Sequence, residues 1–143
     1  MKINVMNTRQ GNLEGIRPEI SSSTINDTMT NDERFQNKVL RPIIKLQNDL
    51  LIEVFKNYVN KHKCSFYDLS LEKKLAYIEN SIQRDIKFRN SIKGMIIGLF
   101  TVEEYLGYIQ NSSALNKRMM NMVKERLISN IQLFERPEFL NAV

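Results

Sequence analysis

The sequence predicts an all-α protein: a compact bundle of about five helices that follows a disordered N-terminal tail. Apolar residues recur every three or four positions from Phe35 to Phe134, which is the spacing of a buried helix face. Only 5 Gly and 3 Pro stand among 143 residues, so few residues would interrupt long helices. Two segments also have the capping-box form that opens helices, with Thr followed three residues later by Glu.

The first thirty residues differ in composition from the rest. Residues 21–31 consist mostly of Ser, Thr, Asn and Asp, with little apolar content. Such a segment cannot bury enough apolar surface to offset the entropy lost on ordering. We therefore predict a disordered tail over residues 1–30 and a single helical domain over residues 31–143, the size of one ordinary domain.

The first helix is predicted to begin at Thr30, because Thr30 and Glu33 have the capping-box spacing. Its wide apolar face continues to Tyr58. Pro42 lies inside this run and lacks a backbone N–H, so we expect a kink or a break near Leu40–Arg41. Cations at positions 61–63 suit the negative end of the helix dipole, which predicts that the helix ends there.

Three further helix starts are visible. One helix should begin after Ser70, and another after Thr101, which forms the second capping box with Glu104. Asn111-Ser112-Ser113 reads as a turn that caps the last helix, and Arg136-Pro137 should end that helix, because the residue before proline avoids helical backbone. The apolar run over residues 94–102 leaves one short strand open as an alternative.

An internal repeat supports this order of helices. Residues 69–81 align without gaps with residues 100–112, and both segments share Glu, Leu, Tyr, Ile, Asn and Ser at equivalent positions. The offset of 31 residues is in the range of helical-hairpin repeats. Two interpretations remain open: a duplicated unit in which a short helix precedes a longer one (residues 82–99 and 114–134), or a chance likeness of two capped amphipathic helices.

Composition narrows the class of protein. The single cysteine, Cys64, rules out an intramolecular disulfide and hence a disulfide-stapled secreted domain. No run approaches the roughly 18 apolar residues that a membrane span requires. The N-terminus also lacks the apolar core of a signal peptide, so a cytoplasmic protein without membrane contact is expected.

Catalytic and metal-binding patterns are weak. His62 is the only histidine, and no H-x-H, H-E-x-x-H or paired C-x-x-C spacing is present. Cys64 lies two residues from His62, but no third group orients the pair as nucleophilic catalysis requires. Phosphate-binding glycine loops are also missing from the sequence. We therefore predict no catalytic residues, no metal and no cofactor, with His62 as a solvated residue at a helix end.

Three sets of residues are candidate binding surfaces. The net charge is +5, of which +4 falls in residues 61–100, and a basic stretch there could bind polyanions. A methionine-rich stripe on the last helix could form an adaptable protein-interaction patch. A third set of polar residues near predicted helix starts could hold an anion. The sets are, in that order, Arg84, Lys87, Arg89 and Lys93; Leu115, Met119, Met120, Met122 and Val123; and Asn90, Ser91, Ser112, Ser113, Asn116 and Lys117.

Three stretches, KLQND at 45–49, FRNSIKGMIIG at 88–98 and NSSALNKRMM at 111–120, resemble a family of short, uncharacterised, all-helical bacterial proteins. The resemblance runs from Asp32 to Phe134 and omits the tail. Some members of that family carry the name glyoxalase, which implies a metal held by His and Glu on β-strands. This chain has one His and almost no period-two patterning, so the name and the residues disagree.

The leading hypothesis for function is a non-catalytic protein-interaction module, whose partner could be a second copy of the chain in a homodimer. It rests on the missing catalytic constellation, the methionine stripe and the repeat. A basic nucleic-acid-associated protein is the alternative, motivated by the charge of residues 61–100. An enzyme, as the name glyoxalase would imply, is the second alternative.

Overall fold

A computed structural model describes residues 2–20, 25–62 and 65–134, and every regular element within these ranges is helical, which confirms the all-α class. The elements, in chain order, are α1 (Lys2–Ile16), α2 (Asn31–Phe35), a π-helical turn (Gln36–Leu40), α3 (Arg41–Leu46), α4 (Asn48–Lys61), α5 (Leu71–Gln83), α6 (Ile86–Ile97), α7 (Val102–Tyr108) and α8 (Ser112–Ser129), with 3₁₀ turns at Phe66–Asp68 and Ile131–Leu133.

The bundle has more helices than predicted. When α2, the π-helical turn and α3 are counted as the one continuous helix they form, the described residues hold seven helices rather than about five. One addition is α1. The other arises at Gln47, whose φ of −87° and ψ of 2° leave the helical range and separate α3 from α4.

Pro42 distorts the helix without breaking it. The Arg41 N–H donates to the carbonyl of Gln36, five residues back, so the turn before the proline is a π-turn. This wider turn accommodates a residue that has no N–H to donate, and α3 then continues with Pro42 in its first turn. The predicted irregularity near Leu40–Arg41 is therefore present as a π-turn.

The N-terminal segment differs from the predicted disordered tail. Residues 2–16 form α1, and two arginines join this segment to the end of α6 and to α7. The Arg9 Nη2 donates to the carbonyl of Gly98 at 3.1 Å, and the Arg17 guanidinium bonds Glu104 and the carbonyl of Leu99. Hydrogen bonds from Arg9 and Arg17 thus attach an N-terminal segment that has few apolar side chains. Residues 21–24 of the Ser-rich stretch lie outside the described residues.

Three of the four predicted helix starts are confirmed by their caps; α8 also begins where predicted, at Ser112, but Asn111 makes no side-chain cap bond. Thr30 and Glu33 form one capping box, and Thr101 and Glu104 form the other. The Ser70 hydroxyl accepts from the N–H of Lys73 at the start of α5. The end of α4 at Lys61 also agrees with the prediction. The predicted end of the last helix at Arg136-Pro137 is wrong: α8 ends at Ser129, and a 3₁₀ turn follows at Ile131–Leu133.

Helix α8 is the central element and packs against α4, α5 and α6. Phe55 of α4 is fully buried at the centre of an aromatic cluster, with its ring centroid 5.7 Å from Phe66 and 5.1 Å from Phe134. This cluster fixes α4 against α5 and against the end of the described chain. It thereby sets the relative position of α4 and α6, on which a surface groove depends.

The segment over residues 94–102 contains the end of α6 and the start of α7, so the alternative of a short strand is wrong. A Cβ placed on Gly94 would meet no atom within 4 Å, and one on Gly98 would meet only the Gly94 carbonyl at 3.0 Å. Gly94 and Gly98 have the G-x-x-x-G spacing that often lets a second helix approach closely, but no second helix in the described part of the chain packs closely against them. The repeat units are helix pairs, but α5 and α6 have 13 and 12 residues, so the first unit does not place a short helix before a longer one.

Candidate functional site

A groove of about 540 Å³ runs between α4 and α6. These helices are antiparallel, because the Gln47 side chain, before α4, donates to the Met95 carbonyl at 2.9 Å while Tyr58, near the end of α4, donates to Asp85 at 2.7 Å. The lining residues are Glu53, Val54, Asn57, Tyr58, Lys61, His62, Asp85, Lys87, Phe88, Ser91 and Met95. The volume falls in the range of small-molecule sites.

Tyr58, His62 and Asp85 form a polar cluster at one end of this groove. The Tyr58 hydroxyl donates to Oδ2 of Asp85, and His62 Nε2 lies 3.9 Å from the same oxygen. His62 Nδ1 is 2.8 Å from the Tyr58 carbonyl, which can only accept, so Nδ1 carries a proton. This bond fixes the ring with Nε2 towards Asp85. The predicted position of His62 at a helix end is confirmed, with the side chain half exposed.

Asp85 also begins α6. Its Oδ1 accepts from the backbone N–H of Phe88 at 3.1 Å, which is an N-cap bond. The hydrogen bond from Tyr58, then that from Phe88, lowers the pKa of Asp85 below its ordinary value against the opposing effect of burial. Both carboxylate oxygens therefore have partners, and the group is a fixed negative charge.

An aromatic stack supports this end of the groove. The Tyr58 ring lies 4.1 Å from the His62 ring on one side and 4.1 Å from the Phe88 ring on the other, measured between centroids. Phe88 is buried, so the stack links the surface histidine to the core. The stack therefore adds ring packing to the hydrogen bonds that hold the Tyr58 and His62 rings.

Charge is distributed unevenly along the groove. Lys61 and His62 end α4 and Lys87 lies in the first turn of α6, so the antiparallel arrangement brings these three side chains to one end. Glu53 lies at the other end, where its carboxylate pairs with Lys56 at 3.2 Å. Apolar side chains of Val54, Phe88 and Met95 also line the groove, with Phe88 next to Lys87 and Met95 at the opposite end, where its carbonyl accepts a hydrogen bond from Gln47.

A second depression of about 510 Å³ adjoins the same cluster from the α5 side, and Tyr58 and Asp85 line both. Tyr77, Asn80 and Arg84 also line this depression. The Tyr58–Asp85 pair thus separates the groove between α4 and α6 from this second depression.

The second surface feature is α7, which is inverted in the sense that its apolar side faces solvent and its polar side faces the core. Its inward side carries Thr101, Glu104 and Tyr108, and its outward side carries an apolar stripe. The stripe consists of Val102, Tyr105, Leu106 and Ile109, which are 68%, 45%, 54% and 47% exposed. This spacing of i, i+3, i+4 and i+7 is that of a face normally buried in a core. In the part of the chain that the structure describes, nothing covers it.

The inward polar groups of α7 are all paired. Arg17 Nη1 and Nη2 each lie 2.6 Å from a Glu104 oxygen in a two-pronged ion pair. Burial alone would raise the pKa of Glu104, but hydrogen bonds from Arg17 and Thr101 and the charge of Arg17 outweigh it, so the pKa is lowered. The Tyr108 hydroxyl donates to Asn116, and burial raises the pKa of Tyr108. These bonds hold α7 with its apolar side outward.

The methionine-stripe prediction is wrong for four of its five residues. Leu115, Met119, Met120 and Val123 are 0–3% exposed and belong to the core, and only Met122 is partly exposed. Because α8 is contacted by helices on several sides, its apolar side chains are used in packing and offer no surface.

The four basic residues do not form one surface. Lys87 lines the groove and Arg84 lines the second depression, so they lie on opposite sides of Asp85. Arg89 and Lys93, both half-buried, follow the opposite edge of α6 from Lys87. Their arrangement does not give the single positive face that nucleic-acid binding favours.

The predicted anion set is also divided. Ser91 lines the groove and Asn90 is exposed on α6, whereas Ser112, Ser113, Asn116 and Lys117 lie in the first turns of α8. Asn116 is engaged by Tyr108. Of this set, only Ser91 lines one of the cavities described above.

The ranges that the structure describes, residues 2–20, 25–62 and 65–134, contain neither a metal site nor a membrane-spanning helix. Within these ranges, no group of three or more His, Cys, Asp and Glu side chains is placed to hold a metal ion. Helices in the same ranges are too short or too polar to cross a bilayer. Cys64, the proposed neighbour of His62, lies outside the described residues.

Comparison with protein-family models, curated proteins and solved structures finds no significant match to this chain. The resemblance to a family of short bacterial proteins therefore stays a prediction. Fold and surface define the class: an all-helical protein with an inverted surface helix and a charged, apolar-floored groove.

Sequence reasoning missed both surface features. The α7 stripe was visible as apolar spacing, but spacing alone does not tell which face of a helix is buried. Two polar inward positions, Thr101 and Glu104, were recognised only as a capping box. For the groove, the signal was the pairing of a histidine at one helix end with an Asp at the next helix start, and it required knowing that α4 and α6 are antiparallel.

Proposed function

We propose that this protein is a non-catalytic interaction module that associates with a second copy of itself through the outward face of α7. The observation that carries the proposal is the inversion of α7. Four apolar side chains are exposed at helical spacing, while Thr101, Glu104 and Tyr108 on the opposite side are largely buried and hydrogen-bonded. An apolar face held outward by fixed hydrogen bonds is typical of a docking surface.

The apolar area of the stripe sets the expected affinity of the dimer. The four half-exposed side chains present on the order of 400 Å² of apolar surface, the size of patch that is often functional on monomeric proteins. Two copies would bury on the order of 800 Å² in total, below the 1,200 Å² at which stable complexes begin. We therefore expect a weak, concentration-dependent dimer.

A second copy suits the stripe because the stripe carries no charge. In a two-fold arrangement the same patch meets itself, so a charged patch would bring like charges together. Glu103 borders the stripe near the start of α7, and an antiparallel pair of α7 helices keeps the two Glu103 side chains apart. Leu106 lies near the middle of the stripe and would approach the symmetry axis.

Sedimentation equilibrium over a concentration series up to about 1 mM tests the proposal, since weak dimers dissociate in this range. The wild-type protein should shift from monomer to dimer, and Leu106→Asp should stay monomeric at every concentration. Leu71→Asp is the matched control, because Leu71 is 62% exposed in the first turn of α5 and lies outside the stripe. A wild-type protein that remains monomeric throughout, or a control that dissociates as Leu106→Asp does, would contradict self-association through α7.

A further inference from the structure

We propose that the groove between α4 and α6 binds a small organic monoacid, with its carboxylate at the Lys61–His62–Lys87 end and its apolar body over Phe88 and Met95. This inference is independent of self-association, because none of the α7 stripe residues lines the groove.

The positive end of the groove is the first argument. Lys61 and Lys87 converge there from opposite helices, and neither takes part in the ion pairs formed among the described residues. The two helix dipoles add little net charge at this place, because the positive start of α6 meets the negative end of α4, so the positive charge comes from the lysines. An incoming carboxylate therefore meets two lysine ammonium groups that have room to turn towards it.

Asp85 does not neutralise this end by pairing with the lysines. Its two oxygens already accept from the Tyr58 hydroxyl and from the Phe88 N–H. Its other close contacts are the backbone N–H of Lys87 and His62 Nε2, the latter at 3.9 Å. Asp85 thus positions the aromatic stack and caps α6, and leaves Lys61 and Lys87 for a ligand.

The apolar part of the groove selects an amphipathic ligand. Val54 and Met95 are partly exposed on opposite walls, and Phe88, which is 8% exposed, lines the groove with them. Methionine adapts to ligands of different shape, so Met95 suits a flat ring or a short chain equally. Ser91 and Asn57 add hydrogen-bonding groups midway along the groove.

Glu53 at the far end restricts the charge of the ligand. Its carboxylate pairs with Lys56 at 3.2 Å, so among the described residues this part of the groove offers a second acidic group no free cation to bind. A monoacid should therefore bind more tightly than a diacid of the same length. This discrimination distinguishes the groove from a nonspecific positive surface, which would favour the diacid.

Backbone amide NMR of the full chain, titrated with 2-naphthoate, tests the inference. Chemical-shift changes should be confined to residues of α4 and α6 that line the groove. The neutral 2-naphthamide should bind about tenfold more weakly, because it forfeits interactions with two surface ammonium groups. Naphthalene-2,6-dicarboxylate should bind more weakly than 2-naphthoate.

Two double variants complete the test. Lys61→Gln with Lys87→Gln should weaken 2-naphthoate binding about tenfold, close to the loss expected from two surface charge interactions. Lys38→Gln with Lys45→Gln is the control, because both of these lysines are exposed and lie away from the groove. The inference is overturned by any of four results: no shifts at millimolar 2-naphthoate, shifts spread over the surface, equal binding of acid and amide, or equal losses in the two double variants.

Discussion

Replacement of Arg17 by Met should destabilise the protein by about 2 kcal/mol, because it breaks the ion pair that joins the N-terminal segment to α7. The Arg17 guanidinium donates to both oxygens of Glu104 and to the Leu99 carbonyl, and the two charged side chains are only 10% and 16% exposed. Breaking a fully buried pair costs about 3–5 kcal/mol, and an exposed pair is worth under about 1 kcal/mol. Partial access of water to Glu104 places the cost between these limits.

The pH dependence of the destabilisation by Arg17→Met shows whether the Arg17–Glu104 ion pair causes it. The pKa of Glu104 is lowered in the folded protein from its ordinary value of 4.5, so its contribution to stability is complete above pH 4.5 and is lost as pH falls through the lowered folded-state pKa. The difference between wild type and Arg17→Met should therefore be largest near neutral pH and shrink in acid. Urea unfolding followed by circular dichroism at a series of pH values measures both quantities.

Arg9→Met is the matched control, because Arg9 makes a single exposed hydrogen bond, to Gly98. Its cost should stay within about 0.5 kcal/mol, the usual range for surface substitutions. If Arg17→Met is as mild as Arg9→Met, the N-terminal segment does not rest on α7. The disordered tail that the sequence predicts would then be the correct description.

Three further substitutions test the core and the groove. Tyr58→Phe should raise the pKa of Asp85 towards its ordinary value of 3.8, because it removes the hydrogen bond that favours the ionised carboxylate; NMR titration of the carboxyl carbon measures this, and an unchanged pKa would show that the bond does not form. Gly94→Ala should stabilise the protein by about 0.5–1 kcal/mol in urea unfolding, because a Cβ there meets no atom and alanine favours the helix; destabilisation would reveal a close contact at this position. Met119→Ala should cost about 2–5 kcal/mol in the same assay while leaving self-association unchanged, and a mild effect would mean that Met119 is not in the core.

Local signals along the chain predicted the helices well. The boundaries at Thr30, Ser70 and Thr101 follow from side-chain oxygens that bond the free N–H groups of a helix start, and these bonds involve only residues three apart. The irregularity at Pro42 follows from the missing N–H of one residue. Features set by neighbouring atoms in the chain can be read without knowing the fold.

The surfaces could not be predicted in this way. An apolar stripe on α8 and an apolar stripe on α7 look alike in the sequence, yet Met119 is buried and Leu106 is 54% exposed. The difference depends on which helices surround each one. Likewise, Tyr58 and Asp85 are 27 residues apart, and only the antiparallel packing of α4 and α6 brings them together.

The π-turn before Pro42 contains one residue more than a regular α-helical turn, and this extra residue sets which sides of α2 and α3 face the core. A regular α-helix lacking that extra residue would rotate everything upstream by about 100° relative to α3. Phe35 would then leave the Phe100 ring, whose centroid is now 5.6 Å away, and Asp32 would leave the Asn111 amide that bonds both its oxygens. Deleting one residue within 36–40 would therefore turn the π-turn into regular α-helix. It would also separate α2 from Phe100 and Asn111, which α2 now contacts.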